Sequence, residues 1–126
     1  MDKWIEVKHI MTTDLITADP DETIDAVRHK LIANHIQHIP VVEGKKILGI
    51  ISKGDIHRME HHFTLFQSEK ALESNRQIFS TILAAEIMTK SLVKLKDTDS
   101  ATIAVDLFRE NMFHALPVVN DKDQLV

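Results

Sequence analysis

Ser52-Lys53-Gly54-Asp55 is the stretch best equipped for chemistry. It closes the apolar run Leu48-Gly49-Ile50-Ile51 with a hydroxyl, a small residue and a carboxylate, groups that bind polar ligands and seldom build cores. A structural reading stands beside this one, because Ser and Asp at a strand-to-helix junction also cap helices. Just beyond, His57-Arg58-Met59-Glu60-His61 matches H-x-x-E-H, the inverted zinc-peptidase motif, and His62 follows it. Two histidines four apart on a helix can share a metal. No third ligand is evident, however, so His57, His61 and His62 are read as a solvated helix face, with metal binding as the lesser reading. No carboxylate pair, phosphate-cradling loop or Ser/His/Asp set stands at a telling spacing, and the three glycines all fall between Gly44 and Gly54.

The elements that hold these groups are duplicated. A shift of 77 positions carries Ile10-Met11-Thr12 onto Ile87-Met88-Thr89 and Leu15 onto Leu92. Without a gap it also carries Asn34 onto Asn111 and Pro40-Val41-Val42 onto Pro117-Val118-Val119, eight identities in one register. Each copy predicts a brief strand (Leu15–Thr17; Leu92–Lys94), a polar turn, and a helix capped by Thr23 or Ser100. The apolar stripes are Ile24, Val27 and Leu31 in the first helix, and Ala101, Ala104, Val105, Phe108 and Met112 in the second. A Pro-Val-Val strand follows each helix, with the proline at a strand start or edge. The first copy continues through Glu43-Gly44-Lys45-Lys46, which suits a hairpin, into a strand over Ile47–Ile51 and a helix beginning near Lys53. The second copy runs to Leu125-Val126, which aligns with Ile47-Leu48, so it holds no counterpart of Gly49 to Asp55. Between the copies, Ser74 to Ala84 reads as a helix.

Composition narrows the function classes. At 126 residues the chain is one domain, or two small halves sharing a core. The absence of Cys excludes a disulfide framework, a thiol nucleophile and thiolate metal sites. A net charge of −4, dispersed Lys and Arg, no Tyr and one Trp argue against a nucleic-acid surface. No apolar stretch approaches the roughly 18 residues of a membrane span, and Met1-Asp2-Lys3-Trp4 leads into mixed polar sequence with no signal-peptide core. A soluble, cytoplasmic protein is expected.

Ile-Met-Thr at the head, His-Ile-Pro-Val-Val after the helix and Leu-Gly-Ile-Ile-Ser-x-x-Asp at the end resemble a tandem CBS-domain pair, also called a Bateman module. Small stand-alone pairs of this kind look like acetoin-utilisation-type CBS proteins. The resemblance implies an α/β fold of the α+β type: two pseudosymmetric β-α-β-β-α repeats packed through their sheets, here with the second repeat incomplete. Residues 1–62 would form repeat 1, residues 63–84 a partly helical connection, and residues 85–126 repeat 2.

The family also implies a non-enzymatic regulatory module that binds an adenosine-containing ligand such as AMP, ADP or ATP between the repeats, requires no cofactor and pairs as a homodimer. In such a site Asp55 accepts from both ribose hydroxyls, Ser52 bonds a phosphate, and the amides opening the next helix favour an anion. His38 would face the phosphates, Ile50 would wall the base, and Thr89, Ser91 and Val93 would supply the opposite side. The pseudosymmetric second site would use Thr12, Asp14, Ile16, His114 and Ala115, without a Ser/Thr-x-x-Asp element. The alternative is a ligand-free scaffold for dimerisation or partner contact.

Overall fold

The computed structural model describes residues 5–63, 79–111 and 113–126. Residues 74–78 of the expected Ser74–Ala84 helix lie outside these residues, as do Met112 and the side chains of His61 and His62. The described part breaks the expected helix, since Ser80 and Thr81 form a turn, Leu83 bridges Thr23, and a new helix starts only at Ala84. In chain order, a 3₁₀ turn at Val7–His9 leads to α1 (Ile24–Ala33), β1 (His38–Glu43), β2 (Lys46–Ser52) and α2 (Lys53–Phe63). After the connection come α3 (Ala84–Ile87), β3 (Leu95–Lys96), α4 (Ala101–Asn111) and β4 (Val118–Val119). The fold is mixed α+β with two small sheets, β1 with β2 and β3 with β4.

Local chemistry explains both ends of α1. The Thr23 hydroxyl accepts the Ala26 amide at 3.3 Å, as expected of an N-cap. At the other end His35 turns left-handed, with φ of 53°. Its N–H reaches the Ile32 carbonyl (3.2 Å) and the Ile36 N–H reaches the Leu31 carbonyl (3.1 Å), which together make a Schellman stop. The predicted stripe of Ile24, Val27 and Leu31 is fully buried, each side chain contributing about 1.5–3 kcal/mol.

The short strands sit later than predicted. Pairing occurs at Ala18, opposite Val41, rather than over Leu15–Thr17. In the second copy it occurs at Leu95 and Lys96, in parallel with Val118 and Val119, rather than over Leu92–Lys94. The two ladders start alike: the N–H of Ala18 donates to the Pro40 carbonyl and that of Leu95 to the Pro117 carbonyl, each at 2.9 Å. The second copy then adds Asp97 N–H to the Val119 carbonyl at 2.9 Å. The equivalent of Asp97 is Pro20, which has no N–H to give. One substitution therefore reduces a strand to a single bridge.

The chain divides into two compact units, and these do not follow the repeats. The first comprises Met1–Leu15, Gly44–Ile47 and Ser91–Val126; the second comprises Ile16–Glu43 and Leu48–Lys90. Within the second, Ile24 N–H donates to the Ile82 carbonyl (2.9 Å) and Ala84 N–H to the Glu22 carbonyl (2.8 Å). The same pair, displaced by the repeat, recurs within the first: Ala101 N–H to Ile5 (2.8 Å) and Val7 N–H to Asp99 (2.7 Å). The head of each copy is thus bonded to the helix start of the other copy. The second unit's core gathers Ile24, Val27, Leu31, Ile39, Val41, Ile51, Ile56 and Phe79. The first unit's core is smaller, with Val7, Leu95 and Ala104 buried under Met11, Leu107, Leu116 and Val118. The predicted stripe of α4 is only half realised. Ala101 and Ala104 are buried, whereas Phe108 is 42% exposed.

Candidate functional site

β2 ends and α2 begins without an intervening loop, at Ser52 and Lys53. The junction is held from both sides. Lys53 N–H donates to the Gln37 carbonyl (2.8 Å), which fixes the first turn of α2 beside the entry to β1. Ser52 and Asp55 bond reciprocally: Ser52 N–H donates to Asp55 Oδ2 (3.1 Å), and Asp55 N–H donates to Ser52 Oγ (3.0 Å). This is a capping box with Asp in place of the usual Glu. Arg58, one turn further on, donates from Nη2 to the other carboxylate oxygen, Asp55 Oδ1.

The cap engages these groups without exhausting them. Ser52 Oγ serves as an acceptor to the Asp55 amide, which leaves its own O–H free in direction to donate. The Asp55 carboxylate has about four lone-pair positions, and the cap occupies one on Oδ2. Structural and ligand-binding roles for the pair are therefore compatible. The reciprocal bonds of the cap orient both side chains.

Ile50 and Thr89, expected on opposite sides of a ligand, are paired directly with each other. Their backbones form an antiparallel bridge, with Ile50 N–H to the Thr89 carbonyl at 3.1 Å and Thr89 N–H to the Ile50 carbonyl at 2.9 Å. Gly49 permits this approach: a Cβ there would stand 2.7 Å from the Met88 side chain and 2.8 Å from the Thr89 carbonyl oxygen. His38, half-buried, opens β1 next to the Gln37 carbonyl that anchors α2. Ser91 and Val93 belong to the first unit and are exposed. Of the second set, Thr12, Asp14 and His114 are exposed in the first unit and Ala115 is half-buried there, whereas Ile16 packs on the core of the second unit.

In the H-x-x-E-H stretch, His57 is exposed and Glu60 Oε1 lies 3.1 Å from Arg28 Nη1 on α1, so the acid of the motif pairs with a neighbouring helix. Among the described residues no three His, Cys, Asp or Glu side chains gather around a metal-sized space. A cleft of about 180 Å³ lies between α1 and α2, lined in part by Arg28, Ile32, Lys53 and Glu60. It is smaller than the roughly 300 Å³ at which ligand pockets begin, and neither Ser52 nor Asp55 lines it.

Sequence reasoning missed Arg58, although its spacing of three from Asp55 on a helix is a visible ion-pair signal. It also missed the Lys53–Gln37 bond and the fit of Gly49 against Met88, which join positions far apart in the chain and leave no local trace.

Two matched stretches, residues 7–62 and 84–126, carry the signature of the CBS domain, and the chain belongs to that family as a tandem pair. A CBS domain-containing protein from Dictyostelium discoideum is 30% identical over 122 residues, covering 95% of this chain and 81% of the relative. A homoserine O-acetyltransferase from Methanocorpusculum labreanum is 28% identical over 95% of this chain, and the chain spans only 21% of that enzyme's length. Among solved structures, the CBS domain pair of protein MJ0100, in complex with 5′-methylthioadenosine and S-adenosyl-L-methionine, is 26% identical with a TM-score of 0.72, covering 97% of this chain and 86% of that one. A Vibrio cholerae structure described as an acetoin utilization protein (AcuB) is 28% identical with a TM-score of 0.77, covering 97% of this chain and 81% of that one. No helix among the described residues is long and apolar enough to cross a membrane.

Proposed function

We propose that this chain is a regulatory, non-enzymatic CBS pair that binds an adenosine-containing ligand at the start of α2. Asp55 takes the ribose hydroxyls, Ser52 takes a phosphate, and His38, Ile50 and Thr89 surround them. The observation that carries this reading is the reciprocal Ser52–Asp55 cap. It presents a hydroxyl donor and a carboxylate acceptor side by side, where a helix N-terminus favours an anion. The adenosyl ligands held by the similar MJ0100 pair support it. Binding would act by favouring one of two arrangements of the protein, which requires different affinities for the two. A homodimer is proposed as the working assembly, and the protein is taken to act in the cytoplasm.

Thermal shift and calorimetry with AMP, ADP, ATP, NAD and S-adenosylmethionine test the reading. A ligand at a hundred times its Kd stabilises by about 2.7 kcal/mol; no shift with any of the five sinks the proposal. Because Asp55 is part of the cap, Asp55→Ala would confuse folding with binding. Asp55→Glu keeps the box while displacing the carboxylate by one methylene. It should melt within a few degrees of the parent and bind at least about tenfold more weakly, as for a lost charged hydrogen bond.

A ligand-free interaction scaffold is the second reading. Ile32, 49% exposed beside the α1/α2 cleft, favours it. A dimer mass that stays unchanged on adding nucleotide, with no binding heat, would decide for the scaffold.

A further inference from the structure

We infer that Arg58 makes the Ser52–Asp55 site selective for a phosphorylated nucleoside over a neutral or sulfonium one. The inference rests on the ligand-binding reading above and specifies its ligand class. Two observations carry it. Arg58 Nη2 holds Asp55 Oδ1, one of the two oxygens that a vicinal diol would engage, and the arginine side chain is 74% exposed, so it can swing aside. Its other terminal nitrogen already stands over Gly54. Arg58 Nη1 and Ser52 Oγ both lie within 4 Å of where a Cβ on Gly54 would stand, at 3.6 and 3.7 Å. The guanidinium and the Ser52 hydroxyl therefore flank one open space over a residue with no side chain. An anion seated there would receive the Ser52 O–H and the Arg58 fork together, and planar guanidinium suits phosphate oxygens.

The pairing sets up an exchange. Without ligand, Arg58 neutralises Asp55. A ribose diol competes with it at Oδ1, and a phosphate on the same ligand gives a released guanidinium a new partner. A nucleoside without phosphate displaces Arg58 and offers it nothing. A sulfonium ligand places a second cation near it. Lys53 does not substitute, since it lines the α1/α2 cleft.

The experiment is calorimetry on the full chain with AMP, adenosine and S-adenosylmethionine, for the parent, Arg58→Gln and Gly54→Ala. The parent should prefer AMP to adenosine by about tenfold or more, the scale of one charge-assisted hydrogen bond. Arg58→Gln should remove most of that preference while binding adenosine as well as the parent or up to about threefold better, because an exposed ion pair no longer has to be broken. Gly54→Ala fits at ordinary contact distances and suits a helix better than glycine. It should melt no lower than the parent, keep adenosine binding and lose AMP affinity. An unchanged AMP-to-adenosine ratio in Arg58→Gln, or a parent that prefers S-adenosylmethionine, overturns the inference while the adenosyl site stands. A parent that binds none of the three overturns both.

Discussion

The turn of the β1–β2 hairpin and its echo after β4 share a frame and differ in length. In the first copy the turn is two residues, with Gly44 at φ of 62°. In the second, the Asn120 side chain accepts the amides of Lys122 and Gln124 (2.9 and 3.0 Å), and Asp123 adopts φ of 59°. The second turn is one residue longer, a three-residue loop with a left-handed final position. That extra residue is why Leu125 aligns with Ile47 only after a one-residue slip. Both hairpins close: Leu125 bridges Val119, and Leu125 N–H also reaches the Lys45 carbonyl at 2.8 Å. The comparison teaches that the frame of the repeat tolerates different turns.

The helices show the same contrast in their packing. Leu31 of α1 is 1% exposed in a core that includes Ile56 of α2. Its repeat-equivalent on α4, Phe108, is 42% exposed. The sharpest way to break the comparison is to truncate both positions. Leu31→Ala should cost about 2–5 kcal/mol in urea unfolding, and Phe108→Ala under about 1 kcal/mol. Equal costs would mean that α4 is covered as α1 is.

Next in size is Gly49→Ala, whose Cβ must displace Met88 and a backbone carbonyl; about 1–3 kcal/mol of destabilisation is expected. A neutral result would show that the Ile50–Thr89 bridge is not tight. Asp97→Pro would give the second ladder the defect that Pro20 gives the first, at about 1 kcal/mol for the lost hydrogen bond to Val119. An unchanged urea midpoint would dissociate ladder length from that proline. The smallest effect should be a gain. His35→Gly relieves a left-handed backbone costing about 1–2 kcal/mol in an L-residue, offset by about 0.5–1 kcal/mol of unfolded-state entropy. The melting point should rise slightly, and a fall would place the His35 side chain in a contact of its own.

Much of the molecule was legible from the chain because its causes are local. Thr23 announces the start of α1, the three- and four-residue spacing of Ile24, Val27 and Leu31 announces its buried face, and the glycine-bearing polar stretch before Ile47 announces the hairpin. The repeat itself was readable, since it requires only one register held over many positions. Ser52 and Asp55 were identified by type and spacing, and their capping reading and ligand reading were both visible there.

Tertiary structure alone decided the rest. It assigned the head of each copy to the helix start of the other, left Phe108 at the surface, set Gly49 against Met88, and laid Arg58 over Gly54 onto Asp55. Caps, turns and stripes depend on neighbours a few residues away, so composition and spacing determine them. Head exchange, close approach and the direction of an arginine depend on which distant surfaces compete for the same space, and only the folded chain settles that competition.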